Sequence, residues 1–245
     1  MIFIVKSRIF KISVVALLTL AILCGVFAMY VSNYYSAELD DIGAFESMNN
    51  VTLTTEENGT MAFGEKDASV GIIFYPGGKV EYTAYQPLMA ALAERGIFCV
   101  LVDMPFNLAV FDVNAANGVQ EKYPEIEKWY VGGHSLGGSM AASYLKKNAD
   151  RYEGLILLGS YSAANLSNTS LKVISVYGSE DKVLNREKYG ENKKNLPEDF
   201  YEYEISGGCH SYFGMYGLQD GDGVPTIEND KQIILTSDYI ASIIG

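Results

Sequence analysis

The sequence predicts an α/β fold, a mostly parallel sheet with helices on both faces, preceded by one N-terminal transmembrane helix. Three observations carry that expectation. Short runs of continuous apolarity, too uniform to be half-exposed, recur along the chain and read as strands buried on both faces. Stretches with apolar residues three and four apart separate them, as amphipathic helices would. One charge-free segment near the start is long enough to cross a bilayer. At 245 residues, 49% of them hydrophobic, the chain can bury a sizeable core without disulfide or metal staples.

Between Lys11 and Glu38 there is no charged residue, and Ile12–Val31 is almost uniformly apolar. A helix of that length spans roughly 30 Å, the thickness of the hydrocarbon core. Lys6, Arg8 and Lys11 precede it; Glu38, Asp40, Asp41 and Glu46 follow, with no Lys or Arg until Lys66. Basic flanks stay cytoplasmic, so the expected organisation is a cytoplasmic basic N-terminus at 1–11, a membrane segment at 12–31, a juxtamembrane linker at 32–49 and an extracytoplasmic domain at 50–245. A cleaved signal peptide competes with a signal-anchor, but its apolar region would run only about 7–15 residues. Cleavage would leave the domain secreted, still outside the cell.

Val51–Thr55 and Thr60–Phe63 flank Asn58-Gly59, a strong hairpin signal. The buried strands are then Val70–Tyr75, Ile97–Val102, Trp129–Gly132, Leu155–Leu158 and Val173–Tyr177, with the alternating Phe200–Ile205 as a strand near an edge. Helices fit Tyr82–Arg95, which ends at Gly96, Leu136–Asn148 and Asp230–Ile244. An antiparallel hairpin followed by strand–helix repeats makes a mixed sheet in one domain.

The residues that carry chemistry lie after those strands. Gly133, Ser135 and Gly137 form G-x-S-x-G between a strand and a helix, the setting in which a serine Oγ projects above a sheet. The amide of Leu136 then lies where an oxyanion would sit. A serine needs a base, and the chain has two histidines. His134 adjoins Ser135 inside the turn, with its ring directed away; His210, in the glycine-rich loop after the last strand, is the better base. A carboxylate must orient the imidazole: Asp181 follows Val173–Tyr177, and Glu180 is its rival. Asp103 reads as a structural or substrate-side carboxylate. The second oxyanion donor should come from Pro76-Gly77-Gly78-Lys79, with Gly78 N–H the best candidate.

With these residues in place, the chain resembles the α/β-hydrolase superfamily over about residues 50–245, and its small lidless dienelactone-hydrolase-like branch in particular. The resemblance implies a serine hydrolase with nucleophile Ser135, acid Asp181 and base His210, the Gly78 and Leu136 amides as oxyanion hole, and no metal or organic cofactor. The nucleophile is serine where dienelactone hydrolases carry cysteine, and Tyr75-Pro76-Gly77-Gly78 stands where many relatives carry His-Gly. Only Gly159–Ser170 is available where lids insert, so the site should be open and suited to a small or polymer-borne ester. A peptidase, thioesterase or acyltransferase would use the same triad, and a non-catalytic surface binding module could reuse the same fold.

The rest of the chain narrows the partners. Lys+Arg 18 against Asp+Glu 30 gives −12, a balance that repels nucleic acid. Three of the basic residues precede residue 36, leaving 15 against 30 in the domain, which favours a neutral or cationic ester. Asp220-Gly221-Asp222-Gly223 begins like a calcium loop, but Val224 and Pro225 interrupt the spacing and Lys231 stands where the closing Glu belongs; it reads as a solvated turn. The aromatic segment His210–Pro225 is expected to line the substrate pocket.

Overall fold

The computed structural model describes residues 2–245, with side chains described from residue 11 onward except at residue 12. Met1 of the expected cytoplasmic segment lies outside the described residues, as do the side chains of Lys6 and Arg8. The chain divides into two compact units, Met1–Tyr34 and Tyr35–Gly245.

The first unit is helix α1, Ile2–Ser32. Its Ser13–Ser32 stretch has mean hydropathy 2.6 and none of it is buried, so this helix is long and apolar enough to cross a membrane. An apolar surface of that size has no partner within its own unit, which separates it from the core helix of a soluble protein.

The second unit begins earlier than expected. Residues 35–49, taken above as linker, are part of the folded domain: Tyr35 N–H donates to Lys79 O at 2.8 Å, Glu81 N–H donates to Tyr35 O at 2.9 Å, and α2 (Leu39–Ala44) with the short turn after it buries Ile42, Phe45 and Ser47. Ile42 and Phe45, three residues apart, are spaced to place both on the core side.

Strands β1 (Leu53–Thr55) and β2 (Met61–Phe63) form the antiparallel hairpin, with Thr54 opposite Ala62. Strand β3 is Val70–Tyr75, β4 Ile97–Leu101, β5 Lys128–His134, β6 Gly154–Leu158, β7 Lys172–Gly178 and β8 Phe200–Ile205. They make one eight-stranded sheet in the order β1-β2-β4-β3-β5-β6-β7-β8, parallel from β4 through β8. The alternating β8 takes the outer edge, where one face of a strand meets water. Helices are α3 (Gln86–Glu94), the single turn α4 (Val119–Lys122), α5 (Leu136–Asn148), α6 (Arg186–Asn192) and α7 (Asn229–Ile244). The first turn expected of the 82–95 helix is a tighter turn over Tyr82–Tyr85, with Pro87 at the start of α3.

The period-two alternation of strand side chains divides the core. Ile72, Phe74, Cys99, Leu101, Ile156 and Ile174 point to the layer of α3 and α7, where Leu88, Met89, Leu92, Ile233 and Ile240 meet them. Ile73, Tyr75, Val100, Val131, Leu155 and Leu157 point to the opposite layer, against Ala141, Ala142 and Leu145 of α5. Strands β3 to β7 are buried on both sides, which is why their runs read as continuous apolarity. The β6–β7 connection contains no helix, in line with the short segment expected there.

Phe45→Ala should destabilise the domain by about 3–5 kcal/mol, the usual cost of truncating a buried Phe, measured by urea denaturation. A change near zero would return residues 35–49 to the status of a linker.

Candidate active site

Ser135 occupies the single residue between β5 and α5, at φ 51° and ψ −119°. A non-glycine residue there is strained, at a cost of order 1–3 kcal/mol. Two things hold it: Ser135 N–H donates to Leu158 O at 2.9 Å, and Ser160 Oγ donates to Ser135 O at 2.7 Å. The neighbouring glycines are required by contact. A Cβ at Gly133 would lie 2.5 Å from Tyr75 O and 2.6 Å from the Gly137 carbonyl carbon, and one at Gly137 would run into Tyr75 O and Pro76 O. G-x-S-x-G thus lets α5 start directly above the β3 and β5 strand ends.

His210 Nδ1 lies 2.8 Å from Asp181 Oδ2, with both side chains buried. Asp181 is held in turn at its other oxygen, which accepts the Val183 N–H at 2.9 Å and the Leu184 N–H at 2.7 Å. The carboxylate is therefore fully bonded in a dry place, the condition under which a buried charge is tolerable. Among the described residues His210 Nε2 is buried and has no hydrogen-bond partner, so it and Ser135 are not hydrogen-bonded in this conformation. Both line one cavity of about 280 Å³, together with Leu136, Ser160, Tyr161 and Asn185. Such a bond is often long or absent without substrate and tightens in the complex.

The rival carboxylates stand elsewhere. Glu180 accepts from its neighbour Ser179 Oγ at 3.0 Å, and Asp103 lies beside the Gly59 turn. At the oxyanion side, Gly78 packs against Leu136: a Cβ on Gly78 would meet Leu136 Cδ2 at 2.9 Å. Among the described residues, neither the Gly78 N–H nor the Leu136 N–H donates to a protein acceptor, and the latter sits in the first turn of α5, whose dipole favours negative charge there.

Several residues that hold the site were not foreseen. Asp222, expected in a solvated turn, is a clamp on the histidine loop. It accepts from the amides of His210 at 3.2 Å, Ser211 at 2.8 Å and Gly223 at 2.8 Å, from Ser211 Oγ at 2.7 Å and from Lys182 N–H at 3.3 Å. Burial pushes its carboxyl up, but the Ser211 hydroxyl and the three amides outweigh it and hold it below the usual range. From the other side, Gln232 of α7 brackets Cys209, accepting its N–H at 3.0 Å and donating to its carbonyl at 2.8 Å. The loop is consequently pinned. The rest of 210–225 does not line the cavity as expected: Phe213, Met215 and Tyr216 are core residues. A short polar run twelve residues beyond His210 was the one available signal for Asp222.

His134 is fully buried, its ring centroid 4.5 Å from that of His210 and its Nδ1 2.8 Å from Tyr85 Oη. Burial, then the nearby His210, hold it well below the ordinary imidazole range, so it stays neutral.

Among known proteins, the family described as "Alpha/beta hydrolase family" matches residues 71–234. Among solved structures, a predicted CIB-like hydrolase from Thermoplasma acidophilum superposes with TM-score 0.55 at 15% identity, covering 78% of this chain and 99% of that one. A monoacylglycerol lipase from Paleococcus ferrophilus gives 0.58 at 13%, covering 78% and 99%, and Est1E from Butyrivibrio proteoclasticus gives 0.56 at 13%, covering 79% and 97%. At those identities the likeness is one of fold. No curated protein matches the sequence significantly.

His134 generates a pH prediction. Unfolded, it binds a proton below the ordinary value of about 6.5; folded, it does not. The unfolded state thus holds more protons below that pH, and stability falls as pH is lowered, by up to about 1.4 kcal/mol per pH unit for one group. Urea denaturation between pH 7.5 and 5 should show that slope, and His134→Gln should reduce it. An equal slope in the variant would mean His134 is protonated in the fold.

Proposed function

Because the chain belongs to the α/β-hydrolase family, we propose that it is a serine hydrolase that cleaves a small or surface-accessible carboxylic ester through an acyl-Ser135 intermediate, on the outer face of the membrane. The observation that carries this reading is the buried Asp181–His210 pair, whose histidine lines the same cavity as the strained Ser135.

In this reading Ser135 Oγ attacks the ester carbonyl carbon while His210 Nε2 takes the hydroxyl proton. Asp181 holds the Nδ1–H, fixes the tautomer and offsets the imidazolium charge. The carbonyl oxygen becomes an oxyanion that accepts from the Gly78 and Leu136 amides, backbone donors of the kind that stabilise such a charge. Collapse expels the alcohol, protonated by His210, and leaves the acyl-enzyme. Water then repeats the sequence with His210 as base, releasing the acid and restoring Ser135. Neutral His134 under His210 matters here, since a second charge at 4.5 Å would oppose the imidazolium. No step calls for a metal or cofactor.

The cavity of about 280 Å³ suits a short acyl or alcohol group, and Ser160, Tyr161 and Asn185 on its wall favour a polar one. The outer face is assigned from Lys6, Arg8 and Lys11 before the apolar Ser13–Ser32 stretch and the lack of any Lys or Arg after it until Lys66.

Wild type should be labelled by a fluorophosphonate probe and hydrolyse p-nitrophenyl acetate. Ser135→Ala should lose labelling and about 10⁶-fold in kcat, and Asp181→Asn about 10⁴-fold. Unlabelled wild type, or labelled Ser135→Ala, overturns the acyl-serine mechanism. In intact cells, externally added proteinase K should digest the domain but spare an epitope placed before Lys6; a protected domain reverses the orientation.

A further inference from the structure

The glycine pair beside the nucleophile poses a physical problem. A donor on a Gly-Gly segment is useful only if its direction is set, because glycine leaves the backbone more freedom than any other residue. The structure sets it from the nucleophile strand. Gly77 N–H donates to Tyr85 Oη at 3.1 Å, and that oxygen lies 2.8 Å from His134 Nδ1. Tyr85 and His134 are both fully buried. The hydroxyl oxygen accepts from Gly77 and pairs with His134 Nδ1, so the three groups form one hydrogen-bonded chain. The contact leaves no slack: a Cβ on Gly77 would stand 2.6 Å from Tyr85 Oη and 2.7 Å from His134 Nδ1.

The next peptide is fixed from its other end. Gly77 O accepts Val80 N–H at 3.3 Å, and Lys79 N–H donates to Asn107 O at 2.7 Å. In a trans peptide the N–H points opposite to the C=O, so holding Gly77 O fixes the side to which Gly78 N–H turns. The two amides offered to the oxyanion then share one reference. Leu136 follows Ser135, and His134, which precedes it, holds the Gly77 amide through Tyr85.

We propose that Tyr85 is a positioning residue for the oxyanion hole, a strut whose hydroxyl joins His134 of the nucleophile turn to Gly77 and thereby aims Gly78 N–H. This rests on the reading of Ser135 as nucleophile and Gly78 N–H as donor, and assigns His134 the supporting end of the strut. Tyr85 does not touch the substrate. Its removal should weaken the transition state without changing substrate binding.

The test uses the full chain with p-nitrophenyl acetate as substrate and phenylboronic acid as the tetrahedral analogue. Losing an oxyanion donor outright costs about 10²–10³ in kcat, so a misaimed donor in Tyr85→Phe should cost about tenfold. The phenylboronic acid Ki should rise by the same factor while KM stays within about twofold. His134→Gln enters the strut from its other end and should lower kcat in the same way. The double variant should fall no further than the weaker single one, as expected of residues acting as a unit. An unchanged kcat in folded Tyr85→Phe, a rise in KM alone, or additive losses in the double variant would overturn the strut. Failure of the underlying reading looks different: wild type itself would resist the fluorophosphonate probe.

Discussion

At Ser135 the chain leaves a strand and enters a helix within one residue, and almost everything near the site follows from that constraint. The backbone can make the turn only at positive φ, and α5 can begin there only if nothing projects from Gly133 or Gly137 toward Tyr75 and Pro76. The strain is opposed by bonds from two places, Leu158 at the end of β6 and Ser160 just beyond it. Both strand ends therefore have to be in register before the elbow is stable. This ties a local geometry to the whole parallel sheet, in which His134 sits opposite Leu158. It also directs the first free amide of α5 at the space beside Ser135, where a helix N-terminus favours negative charge.

Around that elbow the structure keeps polar groups dry but bonded. Asp181 has three hydrogen bonds and Asp222 five within the described residues. Each carboxylate therefore stabilises main-chain amides that would otherwise be orphaned by burial. The two form a pair of clamps: Asp181 closes its own turn and reaches His210, while Asp222 reaches both that turn and the main chain of His210. Cys209, next to the histidine, is inert by the same logic. Burial, with Asp222 beside it, pushes its thiol up to about 12, far from the thiolate that reactivity needs.

Much of this was legible in residue order. The Asn58-Gly59 hairpin, the apolar runs and the alternating 200–205 segment each imply a strand through local chemistry or a period-two pattern, and the sheet contains all of them. The strand–G-x-S-x-G–helix pattern marks its turn because steric demand at three successive odd positions is itself a sequence feature. What was not legible depends on partners far apart in the chain. Asp222 acts on an amide 12 residues away and Tyr85 on a ring 49 residues away. Neither has a spacing rule. Residues 35–49 were misread because two buried side chains among acidic neighbours do not make a periodic signal, and their burial depends on docking against Val80 and α3.

Sequence by itself determined the fold class, the apolar helix at the N-terminus and the positions from which Ser135, Asp181 and His210 project. These depend on backbone sterics and on hydrophobic pattern, which act between neighbours. Only the tertiary structure decided which carboxylate meets His210, what holds the histidine loop, and why the second histidine stays neutral beneath the first. Those outcomes depend on burial and on hydrogen bonds closing between separate strand ends, where low dielectric makes an unpaired polar group costly. A linear chain does not specify that environment until the sheet has brought its loops together.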